Sequence, residues 1–138
     1  MRVIVKKVVD DVGSVKDISG GFEEIQEIVG GYVAPKYFCK DGKPYFCVLC
    51  DEDGFLKQLD LNCGIMCGDA FQWFVGDIVA VGIGDDDFTD LPEEIDLAEW
   101  RRMLIDGFSL EWMIRQKMMY ERRLLSDDEE EEDEDDQD

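Results

Sequence analysis

Phe22-Glu23-Glu24-Ile25-Gln26-Glu27-Ile28-Val29-Gly30-Gly31-Tyr32 is the stretch that decides the fold. Its apolar side chains, Phe22, Ile25, Ile28 and Val29, recur at spacings of three and four, which places them on one face of a short helix. A helix with a single apolar face needs a sheet to lie on. Gly30 and Gly31 accept the positive φ that ends a helix and turns the chain, so Tyr32 is expected to leave in extended conformation.

Working outward, the flanking segments supply that sheet. Arg2 to Val9 is rich in β-branched residues and is bounded by Asp10, Asp11 and Gly13, which predicts a first strand and a turn; Ser14 to Ile18 returns as a short second strand. Beyond the helix, Tyr32 to Cys39 and Pro44 to Cys50 flank Asp41-Gly42, the signature of a hairpin. Asp51-Glu52-Asp53-Gly54 is expected to reverse the chain into a strand over Phe55 to Leu61. Asn62 to Asp69, with Gly64 and Gly68, is expected to form a loop. Gln72 to Gly84 is apolar enough for a central strand, with a short turn inside it before a buried segment ending at Gly82, and the sheet is expected to end there.

The C-terminal third changes character. Asp96 and Glu99 have capping-box spacing ahead of a helix whose Trp100, Met103 and Leu104 share a face. Asp106 to Ser109 is expected to break it, and a longer helix runs to about Leu125. On that helix Leu110, Met113, Ile114 and Met118 form a stripe that Trp112, Met119 and Tyr120 widen. Such breadth has two readings, an intramolecular core or a second contact with another chain. The expected organisation is an α+β domain over 1–91, with a mixed or antiparallel sheet covered by one short helix. A helical extension over 92–126 and a disordered acidic tail over 127–138 follow.

Charge limits the partners. The chain of 138 residues holds 35 acidic and 14 basic residues, a net charge of −21. Eleven of the last twelve residues are acidic, which leaves 24 acids and all 14 bases in the first 126 residues, a net of −10. Direct binding to nucleic acid or to an anionic membrane is disfavoured, since both are repelled over a Debye length of about 8 Å. A basic partner is expected instead. No apolar run approaches the ~20 residues of a membrane span, and the N-terminus lacks the apolar stretch and small-residue site of a signal peptide. The expected location is the cytoplasm.

Residues that could carry chemistry are few. Five cysteines, an odd number, fit reduced thiols better than a disulfide framework. Cys47 and Cys50 are spaced like zinc ligands, but in a strand they face opposite ways, so buried thiols are expected and no metal. The acidic turns do not match a calcium loop. There is no histidine, no recognisable nucleophile setting and no glycine-rich phosphate loop, so neither an enzyme nor a cofactor is expected.

Three segments in order carry a family resemblance: Ile25-Gln26-Glu27-Ile28-Val29-Gly30-Gly31-Tyr32; Cys50-Asp51-Glu52-Asp53-Gly54-Phe55-Leu56 leading to Leu59, Leu61 and Asn62; and Gly76 to Gly82 followed by Asp87-Phe88-Thr89-Asp90-Leu91. Together they resemble a domain of unknown function in small proteins of bacterial phages, plasmids and conjugative elements. The likeness covers Arg2 to Leu91. Where the family commonly has Arg after the Asn, this chain has Cys63, and where it usually has Asn at the acidic turn, this chain has Asp51. Any anion contact made by that Arg in relatives is lost here.

With the charge, the resemblance implies an interaction protein of a mobile element that imitates nucleic acid and inhibits a basic host defence protein, of anti-restriction or anti-CRISPR type. Its partner-binding residues would be Asp85, Asp86, Asp87, Asp90, Glu93 and Glu94, with Trp112, Met119 and Tyr120, and Asp127, Asp128, Glu129 and Glu130 of the tail. The tail equally fits a solubilising segment. One alternative is a binder of a small nucleotide signal, through Arg101, Arg115 and Arg122. The other is a structural or regulatory oligomer assembled through the last helix.

Overall fold

A computed structural model describes residues 1–105, 114–115 and 117–123. Its elements are β1 (Arg2–Lys6), β2 (Ser14–Asp17), α1 (Phe22–Val29), β3 (Val33–Lys40), β4 (Lys43–Asp51), β5 (Leu61–Cys67), β6 (Ala70–Val75), β7 (Ile78–Ile83), β8 (Phe88–Thr89), α2 (Leu97–Met103) and β9 (Leu104–Ile105). Residues 117–123 are helical as well. The class is α+β. The larger sheet runs β2-β1-β7-β4-β3 with β8 added to β7, the smaller β6-β5-β9, and all pairings are antiparallel.

The central strands are apolar on both faces because both are covered. Val3, Val5, Cys47, Leu49, Val79 and Val81 point to α1, where they meet Ile25 and Val29. Their neighbours Ile4, Phe46, Val48, Ile78 and Ala80 point the other way, into a second core with Cys63, Ile65 and Phe74 of the small sheet and with Leu91, Ile95, Trp100 and Met103. Strand alternation divides one continuous apolar run between two cores. The second core thus extends past Leu91 through α2, whose N-cap Asp96 accepts a hydrogen bond from the Glu99 amide at 2.9 Å.

The two glycines after α1 have separate causes. Gly30 is the left-handed cap, φ 88°, and its amide donates to the Gln26 carbonyl at 2.7 Å. Gly31 makes room: a Cβ there would lie 2.5 Å from Asp51 Oδ2 and 2.6 Å from Lys57 Nζ. Those two atoms form an ion pair of 2.8 Å, so the helix exit is packed against a buried carboxylate. Phe22, expected on the apolar face, is instead 65% exposed, and Ile25 and Val29 carry the burial.

Four further expectations are corrected. The first strand ends at Lys6 rather than Val9, which is exposed in the following turn. The turn expected at 52–54 continues through 58, so Phe55 to Gln58 is not strand: local bonds from Gly54 N to Asp51 O, Lys57 N to Asp53 O and Gln58 N to Phe55 O consume the backbone groups a strand would need, and Leu56 is left exposed. Asn62 to Cys67 is strand, not loop; Gly64 pairs with Trp73 on one side and Ile105 on the other. The chain adds strands after Gly84, since β8 pairs with β7 and β9 with β5.

Candidate functional site

The acidic residues lie on one segment, the corner of the chain between β7 and α2. Asp85, Asp86, Asp87 and Asp90 lie between β7 and Leu91, Glu93 and Glu94 follow Pro92, and all six are exposed. The corner is tied to β1. Asp90 Oδ1 accepts from the Arg2 amide at 2.8 Å, and the Arg2 guanidinium donates to the carbonyls of Leu91, Pro92 and Ile95 at 2.9, 3.2 and 2.8 Å. Asp87 Oδ1 accepts from the Phe88 amide at 3.0 Å. Among the described residues none of the six is in an ion pair, although the N-terminal ammonium feels the charge of Asp90.

The last helix touches its own domain. The Tyr120 ring is 5.3 Å from that of Phe55, which is 5.2 Å from Trp73, and Lys117 Nζ donates to the Leu59 carbonyl at 3.1 Å. Tyr120 therefore has an intramolecular contact, although it stays partly open to solvent beside exposed Met118 and Met119. Trp112, Asp127, Asp128, Glu129 and Glu130 lie outside the described residues.

Of the three arginines expected around a small ligand, Arg115 and Arg122 are exposed toward the end of the chain. Arg101 differs, because it lines a cavity of about 440 Å³ with Lys6, Asn62, Cys63, Asp10 and Asp11. Lys6 does not stand out in the sequence, and Asn62 does so only as the end of the second resemblance segment, yet both are buried. Lys6 Nζ donates to the Asp10 carbonyl at 2.8 Å and to Asn62 Oδ1 at 2.7 Å; Asn62 Nδ2 donates to the Lys6 and Gly76 carbonyls at 3.0 and 2.7 Å. The available signal was alternation. In β1 Val3 and Val5 share one face, which leaves Arg2, Ile4 and Lys6 on the other, a pattern that predicts polar partners behind that face.

The cysteines divide as strand geometry requires, Cys47 in the core under α1 and Cys50 in the opposite one. Burial pushes the Cys47 and Cys63 thiols up to about 12 and raises Cys50 as well. Such thiols stay protonated at neutral pH, and the thiolate is the form that attacks an electrophile or binds a metal. Among the described residues no three Cys, Asp or Glu side chains are grouped to hold a metal ion, and no helix is long and apolar enough to cross a membrane.

Comparison with curated proteins finds no match, and comparison with solved structures finds none. A family model matches residues 1–105, so the shared region takes in α2 and β9 and extends beyond Leu91, and it comprises both sheets and both cores. On that match the chain belongs to the family described as domain of unknown function DUF3846.

Proposed function

We propose that the protein is a non-enzymatic, acidic interaction module that occupies the nucleic-acid-binding surface of a basic protein. The observation that carries this reading is the corner of six exposed, unpaired carboxylates, Asp85 to Glu94, on a chain of net charge −21. Carboxylates held on a rigid framework can replace phosphates opposite lysine and arginine, and the affinity is electrostatic. Raised thiol pKa values and the lack of histidine favour binding over catalysis. In its specific form the proposal is an inhibitor encoded by a phage or other mobile element, acting in the host cytoplasm on a defence nuclease.

The test is capture from host lysate with the full chain, a truncation after Ser126 and a variant with the six corner acids made amides. The expected result is a nucleic-acid-binding protein that is retained at low salt, released by duplex DNA, and lost with the amide variant. Failure to capture one at low salt, or capture indifferent to both DNA and the six substitutions, rejects the reading. The truncation separates a contribution of the tail from that of the corner.

A further inference from the structure

Two charged side chains are buried among the described residues, and they are treated differently. Asp51 has the Lys57 ammonium at 2.8 Å. Lys6, 3% exposed, has no carboxylate of the described residues within ion-pair distance. Its partners are neutral oxygens, the Asp10 carbonyl and Asn62 Oδ1, which use two of the three donors of an ammonium. Burying a cation against neutral acceptors alone is costly, because neither supplies an opposing charge. The cost is reduced if an anion completes the site.

Space for one is present. Lys6 and Asn62 line the 440 Å³ cavity where the turn after β1 meets β5 and β9, within the range of about 300–1,000 Å³ usual for small-ligand sites. Arg101 lines it too, and unlike neighbouring Arg102, which is paired with Glu99 at 2.9 Å, it has no ion-pair partner among the described residues. Asn62 fixes the ammonium: its amide is anchored by two carbonyls, so its oxygen and Lys6 Nζ are held before any ligand arrives.

We propose that this cavity binds a small phosphate-bearing ligand, whose oxyanion is taken by Lys6 and Arg101. A phosphate monoester carries about −1.5 to −2 charges at pH 7, a match for two cations. Asp10 and Asp11 also line the cavity; the Asp10 carboxylate already accepts from the Lys7 amide at 3.0 Å, and Asp11 is exposed. Both are acceptors suited to the amino group of a nucleobase. This site is independent of the acidic corner.

Amide spectra of the full chain, titrated at constant ionic strength with inorganic phosphate, AMP and adenosine, test the proposal. Saturable shifts are expected for phosphate and AMP at Asp11, Val12, Cys63 and Leu104, and none for adenosine. Equal affinity of the first two identifies the free ion as the ligand, and tighter AMP binding identifies a nucleotide. Arg101→Ala, at an exposed position, is expected to fold and to weaken binding roughly tenfold. Lys6→Met is expected to abolish it; if that variant does not fold, Arg101→Ala decides. No saturable shift up to about 10 mM phosphate or AMP, weaker than any specific site, overturns the inference. So does adenosine binding as tightly as AMP, or unchanged affinity in Arg101→Ala.

Discussion

The two faces of the large sheet are covered in different ways, and the difference accounts for where this protein keeps its buried polar groups. Under α1 the core is made of Val3, Val5, Ile25, Val29, Cys47, Leu49, Val79 and Val81. At its margin Asp51 meets Lys57. On the opposite face lie a small sheet, α2 and the segment from Leu91 to Ile95. A helix satisfies its own backbone, so it can cover a sheet with hydrocarbon alone. Loops and short strands bring carbonyls that still need donors. Arg2 supplies Leu91, Pro92 and Ile95; Trp100 Nε1 supplies Val12 O at 2.7 Å; Lys6 and Asn62 supply Asp10, Lys6 and Gly76. The polarity of a face follows from what covers it.

The largest test of this contrast sets one large side chain against another. Trp100→Ala removes a fully buried ring together with its hydrogen bond and is expected to cost about 3–5 kcal/mol, whereas Ile25→Ala, on the α1 side, is expected to cost about 2–4 kcal/mol. Urea unfolding of both variants checks the order. If Ile25→Ala proves the more damaging, the helix-covered face is the one that holds the fold.

Next in size is Asn62→Ala. It leaves the Lys6 and Gly76 carbonyls without their donor and Lys6 Nζ with one acceptor fewer, an expected loss of about 1–3 kcal/mol. Thermal unfolding within 0.5 kcal/mol of the parent, roughly the scatter of surface substitutions, would mean that water replaces the amide and that the layered face does not depend on its polar groups.

The smallest effect at neutral pH concerns the thiols. Cys47 and Cys63, one in each core, have folded pKa values pushed up to about 12 from an ordinary value of 9.0. A group whose pKa is raised on folding contributes stability that is complete below the unfolded value and is lost as pH rises toward the folded one. The unfolding midpoint is therefore expected to be insensitive to these thiols below pH 9 and to fall above it, less steeply in Cys47→Ala and Cys63→Ala. Alkylation at pH 8 is expected to reach exposed Cys39 first. Equal labelling of Cys47 or Cys63 would mean that its core opens readily.

Legibility from the residues was uneven for a physical reason. α1, the Asp41-Gly42 hairpin and the Asp96 cap were readable because each is specified locally, by 3.6-residue spacing, by two consecutive positive φ values of 54° and 78°, or by one side chain three residues from its amide. Within 55–67 the structure departs from the expectation because glycine and leucine carry opposite meanings there, while the turns at 52–54 and 68–69 are as expected. Leu56 suggests a strand but lies exposed in a turn, and Gly64 suggests a loop but lies at the centre of β5, where neighbours on both sides supply the pairing. Of the candidate site residues, the acidic corner was visible as composition, whereas the Lys6–Asn62 contact joins residues 56 positions apart.

By itself the sequence determined the α+β class, the helix with its glycine stop, the opposite facing of Cys47 and Cys50, and the acidity of the surface. All of these follow from periodicity or composition within a few residues. Only the tertiary structure decided that β7 lies between β1 and β4, that a second sheet roofs the first, that Gly31 is small because Asp51 and Lys57 pass beneath it, and that Lys6 meets Asn62 and Arg101 at one cavity. Those arrangements depend on which distant strands pair and which carbonyls then require donors, and no local pattern in the chain encodes that.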